Sequence, residues 1–134
     1  MTAARQPISF IATARPPQAL AFYRDVLGLD LVEDTPFALV FSDNGHMLRI
    51  QKLEAHDPPG HTVHGWKVDD IEAEIAALAA HGAVFSFYPR LEQTDAGIWI
   101  SPDGHRIAWF KDPDGNNLSL SQFAPPPGRS HDGS

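Results

Sequence analysis

The feature that most constrains the fold of this chain is an internal duplication. Each half reads as a strand, then a helix that ends at a glycine, then a series of further strands. The segment ALVFSDNGHMLRI in the first half resembles GIWISPDGHRIAW in the second, which predicts that the Gly-His pairs at 45–46 and 104–105 fall at the same turn. One βαβββ unit cannot bury its sheet face alone, whereas two units side by side can curl into a cupped ligand cavity.

Two helices stand out from the spacing of the apolar residues. The first is predicted from about residue 17 to 27 and is followed by Gly28, and the second from about residue 71 to 81, with Asp69 as its N-cap and Gly82 after its end. The remaining apolar runs are separated by turn signals such as Asp-Asn-Gly and Pro-Asp-Gly and are typical of strands. These predicted strands span residues 8–12, 29–32, 37–41, 47–53, 63–68, 84–88, 97–100, 106–110 and 117–123.

This order of elements predicts an α+β fold made of two βαβββ units, each a mixed curved sheet packed on one helix. We expect one domain over residues 7–123, with units at about 7–55 and 61–123. Residues 124–134 read APPPGRSHDGS, have no apolar periodicity and are predicted to be a disordered tail.

Composition and charge exclude several classes of function. The formal net charge of −7 argues against nucleic acid and against an anionic membrane as partners. The chain has no cysteine, which excludes disulfides, thiolate catalysis and iron–sulfur clusters. Since there is neither a signal-peptide pattern nor an apolar run of the roughly 20 residues that a membrane span needs, we expect a cytoplasmic protein.

Three motifs carry a resemblance to a known family. ALAFYRDVLGLDLV, WKVDDIEAEIAALAAHGAVF and IAWFKDPDGNNLSLSQF are similar to segments of the vicinal-oxygen-chelate superfamily, which includes glyoxalases, extradiol dioxygenases and bleomycin-resistance proteins. The resemblance covers the chain from about residue 8 to 123. It implies the cupped glyoxalase/bleomycin-resistance/dihydroxybiphenyl-dioxygenase-like fold and a homodimer, and leaves open whether the two units pair within a chain or between chains.

The resemblance also implies where a divalent metal would be held. In the family's enzymes His, Glu or Gln side chains bind the ion from four strand positions, which fall here on Ile8, on Arg49 or Gln51, on Val63 and on Ser119. Ile and Val cannot ligate, Arg repels a cation and a lone Ser is a poor ligand. We therefore expect no metal and no other cofactor, unless a rearranged metal site uses His61, His64 or Gln51.

Strand alternation predicts which side chains face the cup. The set mixes aromatic, aliphatic and polar groups, as small-molecule pockets do. Aromatic members could stack on a flat ligand, and Arg49 could pair with an oxyanion, although the tryptophans could equally fill the core or a dimer seam. The predicted ligand-binding residues are Ile8, Phe10, Arg49, Gln51, Val63, Lys67, Trp99, Trp109, Ser119 and Ser121.

Three functional hypotheses follow. The first is a metal-free protein that binds a small organic ligand. The second is a metal-dependent glyoxalase-like lyase or ring-cleaving dioxygenase with a rearranged site, and the third is a regulatory or structural dimer module without a ligand. The sequence identifies no catalytic residue. Asp112 and Asp114 lie in a Asp-Pro-Asp-Gly segment that is first of all a turn signal, and Tyr23 belongs to the helix core.

Overall fold

The computed structural model describes residues 4–125. Helix α1 spans Pro16–Ala21 and continues as a π-helical turn over Phe22–Val26, and helix α2 spans Ile71–Ala80. The strands are β1 (Ile8–Thr13), β2 (Asp30–Asp34), β3 (Ala38–Asp43), β4 (His46–Lys52), β5 (Thr62–Lys67), β6 (Trp99–Ile100), β7 (Arg106–Lys111) and β8 (Asn117–Gln122).

The strands form two four-stranded sheets of the same topology. The first has the order β1-β4-β3-β2 and the second the order β5-β8-β7-β6. In each sheet the first and last strands of the unit pair in parallel, and all other neighbours are antiparallel. Each sheet is therefore mixed, and the predicted α+β fold of two repeated units is confirmed.

One hydrophobic core serves both units. It lies between the two helices and one face of each sheet, and alternation along the strands puts apolar residues on that face at every second position. The largest fully buried side chains are mostly aromatic or branched. The half-buried ring of Phe22, directly after α1, lies 6.3 Å from the buried ring of Phe110 in β7, and this contact joins the units. The core includes Ile11, Tyr23, Leu39, Phe41, Leu48, Ile50, Ile71, Ile75, Phe110, Leu118 and Leu120.

Both helices end as their glycines predict. Gly28 and Gly82 have φ of +74° and +106°, conformations that L side chains avoid. At the start of α2, however, the N-cap is Asp70, whose side chain accepts a hydrogen bond from the Ala73 amide at 3.1 Å. The prediction of Asp69 as the cap was wrong by one residue, because α2 begins at residue 71 and the carboxylate directly before it is the one that reaches the free amides.

The structure corrects two predictions for the second unit. The predicted strand at 84–88 is absent, and this segment contributes only a single bridge from Phe85 to Phe110. The Gly-His pairs are also not equivalent, because Gly45 lies in the β3–β4 turn whereas Gly104 lies in the β6–β7 turn. By strand order, the turn that matches β3–β4 is β7–β8, which contains Asp112 to Gly115.

Two reciprocal hydrogen bonds connect the units. From unit two, Asp112 accepts the Tyr23 hydroxyl of the first helix at 2.7 Å, and from unit one, Asp43 accepts the Trp66 indole N–H. Burial first, and then the charge of Asp112, raise the pKa of Tyr23 well above its usual value, so its hydroxyl stays protonated and donates. A third link runs from Thr13 to Asp114.

The end of the chain is described as far as residue 125. The Ala124 amide donates to His105 Nδ1 at 3.0 Å, and the ring of His105 packs edge-on against Phe123. His105 is therefore half-buried. The predicted disordered tail lies, from residue 126 onward, outside the described residues.

Candidate functional site

The candidate site is the sheet surface opposite the helices, called here the concave face. Paired residues of neighbouring strands lie on the same side of a sheet, so the strand register defines this face. In the first unit Phe10 pairs with Arg49, and Arg49 with Val40. In the second unit Gly65 pairs with Ser119, and Ser119 with Trp109.

These two rows hold the same place in their units, since both run from the first strand through the last to the third. They contain Arg49 and Ser119 at matching positions, which are two of the positions where the resemblance implies metal ligands. The aromatic residue, in contrast, stands at opposite ends of the rows: Phe10 on β1 and Trp109 on β7. The duplicated scaffold therefore carries two chemically different walls.

Around the first row, unit one exposes apolar and polar groups together. Phe10 is 55% exposed and Ile8 45%, and Ile8 pairs with Met47, which is 39% exposed. Arg49 is half-buried, and Gln51 is exposed two residues further on the same face. An exposed apolar patch with polar neighbours is typical of a binding surface.

On the second unit, Ser119 and Gly65 lie side by side on the concave face. Ser119 is only 8% exposed, and its hydroxyl lies 2.5 Å from where a Cβ on Gly65 would stand. Any side chain at position 65 would meet this hydroxyl and, at 3.0 Å, the Ser119 carbonyl oxygen. Glycine therefore allows the serine side chain to lie across β5.

An aromatic cluster lies beside this serine. The Trp109 ring packs edge-on against Tyr88 at 5.6 Å and lies 6.2 Å from the ring of Trp99. Trp99 pairs with Ile107, which pairs with Ser121, so Trp99 and Ser121 belong to the same face as Trp109. Both tryptophans are half-buried and keep part of their surface accessible.

A cavity of about 200 Å³ joins the two units next to these rows. It brings together three of the predicted residues, Phe10, Gln51 and Val63, with His56 and Asn116 among its other lining residues. His56 Nε2 and Asn116 Oδ1 are 2.8 Å apart, and Asn116 also donates to the Ala12 carbonyl at 2.9 Å. The cavity is smaller than the 300 Å³ or so of common ligand pockets, so a larger ligand would extend over the open face.

The other predicted residues lie outside this cavity. Ile8 and Trp99 each border a separate shallow depression, of about 400 Å³ and 360 Å³. Lys67 pairs with Ser121 on the concave face but also borders a cavity of about 260 Å³ beside Trp66 and Leu78. The ten predicted residues are thus spread over the concave face and its edges.

The residues at the family's metal positions do not fit a divalent ion. Ile8 and Val63 are aliphatic, and Ser119 offers a lone hydroxyl. The remaining position falls on the cationic Arg49 or on Gln51, and Gln51 would be a single ligand. Between residues 4 and 125 no group of three His, Asp or Glu side chains could hold a metal. We derive no chemistry through a metal at this site.

The histidines proposed for a rearranged site do not gather around Gln51. His64 pairs with Leu118, which places it on the helix side with Trp66, and His61 is exposed. The His64 ring packs edge-on against Trp66 at 4.8 Å and is stacked 6.3 Å from His46. Burial is the main cause that lowers the pKa of His64, with a smaller contribution from His46 and an opposing one from Asp43.

Sequence reasoning missed four residues of this region. Gly65 was overlooked because glycine has no side chain that suggests a function. An isolated glycine within a strand pattern nevertheless indicates that another segment lies close to its backbone. Asn116 and His56 were missed because their partners are 60 residues apart in sequence. His46 was missed as well, and it is half-buried and forms a 2.8 Å hydrogen bond with Ser9.

The comparisons with known proteins agree with this fold. A model of the Glyoxalase/Bleomycin resistance protein/Dioxygenase superfamily matches residues 6–120, so the chain belongs to this superfamily, as the resemblance predicted. The search of curated proteins finds no match. Between residues 4 and 125 the structure contains no helix with the length and apolar character that crossing a membrane requires.

Three solved structures illustrate the similarity. TnmS3, an antibiotic binding protein from Streptomyces sp. CB03234, is 26% identical, with a TM-score of 0.65 and coverage of 92% of this chain and 99% of that one. A superfamily member from Sphaerobacter thermophilus DSM 20745 is 24% identical, with a TM-score of 0.68 and coverage of 90% and 98%. Lactoylglutathione lyase from Agrobacterium tumefaciens is 20% identical, with a TM-score of 0.67 and coverage of 90% and 94%.

Proposed function

We propose that this protein binds a small organic ligand on its concave face and does so without the superfamily's usual metal ion. The observation that carries the proposal is that the family's ligand positions hold Ile8, Val63, Ser119 and either Arg49 or Gln51, a set in which at most Gln51 could bind a metal. The surrounding surface keeps what a ligand needs, an exposed aromatic ring at Phe10 and polar groups at Arg49 and Gln51.

The exposed apolar area supports ligand binding energetically. A phenylalanine side chain buries about 200 Å² when fully covered, and Phe10 is 55% exposed. Covering the exposed part with a ligand ring would contribute about 2 to 3 kcal/mol. The likeness to TnmS3 supports an antibiotic or another aromatic metabolite as the ligand. A homodimer and a cytoplasmic location stay predictions, and a second chain could complete the open side of the cup.

The lyase alternative has no comparable support. A rearranged metal site would need His61 or His64 next to Gln51, but His64 lies on the helix side of its sheet and Gln51 on the concave face. The likeness to lactoylglutathione lyase is at 20% identity and supports the fold alone.

The test is a thermal-shift screen of the full chain against a library of aromatic metabolites and antibiotics. A ligand that binds the folded state raises Tm by mass action. Phe10→Ser should reduce that rise, whereas Phe37→Ser, which alters a ring that is 78% exposed in the β2–β3 turn, should leave it unchanged.

Two results would contradict the proposal. One is a library without any compound that raises Tm in a Phe10-dependent way. The other is stoichiometric zinc, nickel, manganese or iron that remains in the purified protein after dialysis, as measured by mass spectrometry of the metals.

A further inference from the structure

The distribution of charge over the concave face differs from that of the whole protein. The chain has a formal net charge of −7. Nevertheless, the register of strands β1, β3, β4, β5, β7 and β8 places only cationic charged side chains on this face, and its carboxylates, Asp30 and Glu33, lie on the edge strand β2. The cations are Arg49, Lys67 and Lys111.

Arg49 is the central cation of this set. It is half-buried on β4 and pairs directly with Phe10 on β1, so a guanidinium and an exposed aromatic ring are neighbours. The ion pairs of residues 4–125 are Arg24–Asp25 and Lys52–Asp34, and Arg49 takes part in neither. A half-buried guanidinium without a carboxylate partner favours an oxyanion, which it can bind through two parallel hydrogen bonds.

Ser119 supplies a second polar group at the matching position of unit two. Its side chain is nine-tenths buried, lies across Gly65, and forms no side-chain hydrogen bond with another residue of the described chain. Buried hydroxyls normally have a partner, so an unpaired one on a concave face is available to a ligand. Arg49 lies on β4 and Ser119 on β8, next to β1 and β5 respectively, and β1 and β5 contact each other between the two units.

We propose that the ligand of the concave face is an aromatic anion, with its acidic group at Arg49, its ring against Phe10 and a hydrogen bond from the Ser119 hydroxyl. This inference rests on the proposed function and adds the chemical class of the ligand. In this arrangement the fixed positive charge of Arg49 takes the role of binding oxygen that a metal ion has elsewhere in the superfamily.

The experiment is isothermal titration calorimetry of the full chain with three probes of one ring system: 2-naphthoate, 2-naphthamide and 2-naphthylmethylamine. The probes have nearly the same shape and differ in charge. We expect the carboxylate to bind about tenfold more tightly than the neutral amide, and the amine most weakly. Raising the salt concentration should lower the affinity for the carboxylate and leave the affinity for the amide unchanged.

Two variants assign the preference to its residues. Arg49→Gln should bring the affinities for carboxylate and amide together, while Arg24→Gln, which removes the same charge from the outer surface, should preserve the tenfold difference. Ser119→Ala should lower the affinity for 2-naphthoate about threefold to tenfold, because the hydrogen bond from the serine hydroxyl is lost.

The inference fails if the amide or the amine binds as tightly as the carboxylate, if Arg49→Gln leaves the preference intact, or if 2-naphthoate does not bind at millimolar concentration. If a neutral compound binds in a Phe10-dependent way at least as tightly as the carboxylate, the anionic class of the ligand is overturned while the proposed function stands. The absence of any Phe10-dependent ligand would overturn both.

Discussion

The two units of the chain share one topology but differ in how completely they form it. In unit one the strand after the helix, β2, has five residues, whereas in unit two the corresponding edge strand, β6, has two and follows an irregular segment that includes Pro89 and a glycine at φ +95°. The inner strands, β3 and β4 in unit one and β7 and β8 in unit two, have six or seven residues each. An edge strand pairs on one side only, so its shortening leaves the central pairing intact.

The concave faces differ in chemistry rather than in backbone. Unit one presents Phe10 and Arg49 where unit two presents Gly65 and Ser119. One unit thus contributes a ring and a charge, and the other a bare backbone and a buried hydroxyl. Duplication provides two equal scaffolds, and divergence of a few concave residues turns them into the two sides of one asymmetric site.

The two hydrogen bonds between the units, Tyr23 to Asp112 and Trp66 to Asp43, differ in burial and in the number of neighbouring bonds. Removing the more buried one gives the largest effect on stability that we predict. Asp112 is 6% exposed and accepts hydrogen bonds from the Tyr23 hydroxyl, from the Asp114 amide and from both the amide and the side chain of Asn116. Asp112→Ala would leave these buried donors unpaired and should lower the free energy of unfolding by about 3 kcal/mol or more.

Urea denaturation measures this loss of stability. The bond between Asp43 and Trp66, which links the units in the opposite direction, serves as the comparison. Asp43→Ala removes one bond, to Trp66, from a half-exposed carboxylate and should cost about 1 kcal/mol. Asp103→Ala, in the exposed β6–β7 turn, should cost little. Equal losses for Asp112→Ala and Asp43→Ala would show that the two links are equivalent after all.

Gly65 sharpens the comparison of the two concave rows. In Gly65→Ala the new methyl group would stand 2.5 Å from the Ser119 hydroxyl and 3.0 Å from its carbonyl oxygen, so β5 or β8 must shift. We expect a loss of about 2 kcal/mol in the free energy of unfolding, partly restored by adding Ser119→Ala. Gly60→Ala, where nothing lies within 4 Å, is the matched control and should be neutral. A neutral Gly65→Ala would mean that this strand does not need its glycine.

The smallest effect concerns the histidines at the junction of the units. The pKa of His64 is lowered in the folded state, mainly by burial, so between its ordinary value of about 6.5 and the lowered one the unfolded chain binds more protons. The free energy of unfolding should therefore decrease as the pH falls from 7 through this window. His64→Gln should flatten that dependence and the exposed His81→Gln should not, as followed by urea denaturation at several pH values. The same slope in wild type and His64→Gln would contradict the assignment.

Much of the fold could be predicted from local sequence. Gly28 and Gly82 fix the helix ends because only a residue without a Cβ adopts their positive φ at low cost, and alternation along the strands separates the core face from the concave face. The predicted strand at 84–88 failed because only Phe85 packs against Phe110 and no ladder forms, which local propensity cannot reveal. Val84 and Phe87 of the same segment stay exposed.

The sequence by itself determined the duplicated α+β scaffold and the residue types at the positions of the family's metal ligands, of which at most Gln51 could bind an ion. Both can be read from residue types and from spacings within short segments of the sequence. Only the tertiary structure decided that Gly-His 104–105 lies in a different turn from Gly-His 45–46 and that Gly65 lies against Ser119. These depend on strand order and register, which are set by contacts between residues more than 50 positions apart in the chain, and no local pattern encodes them.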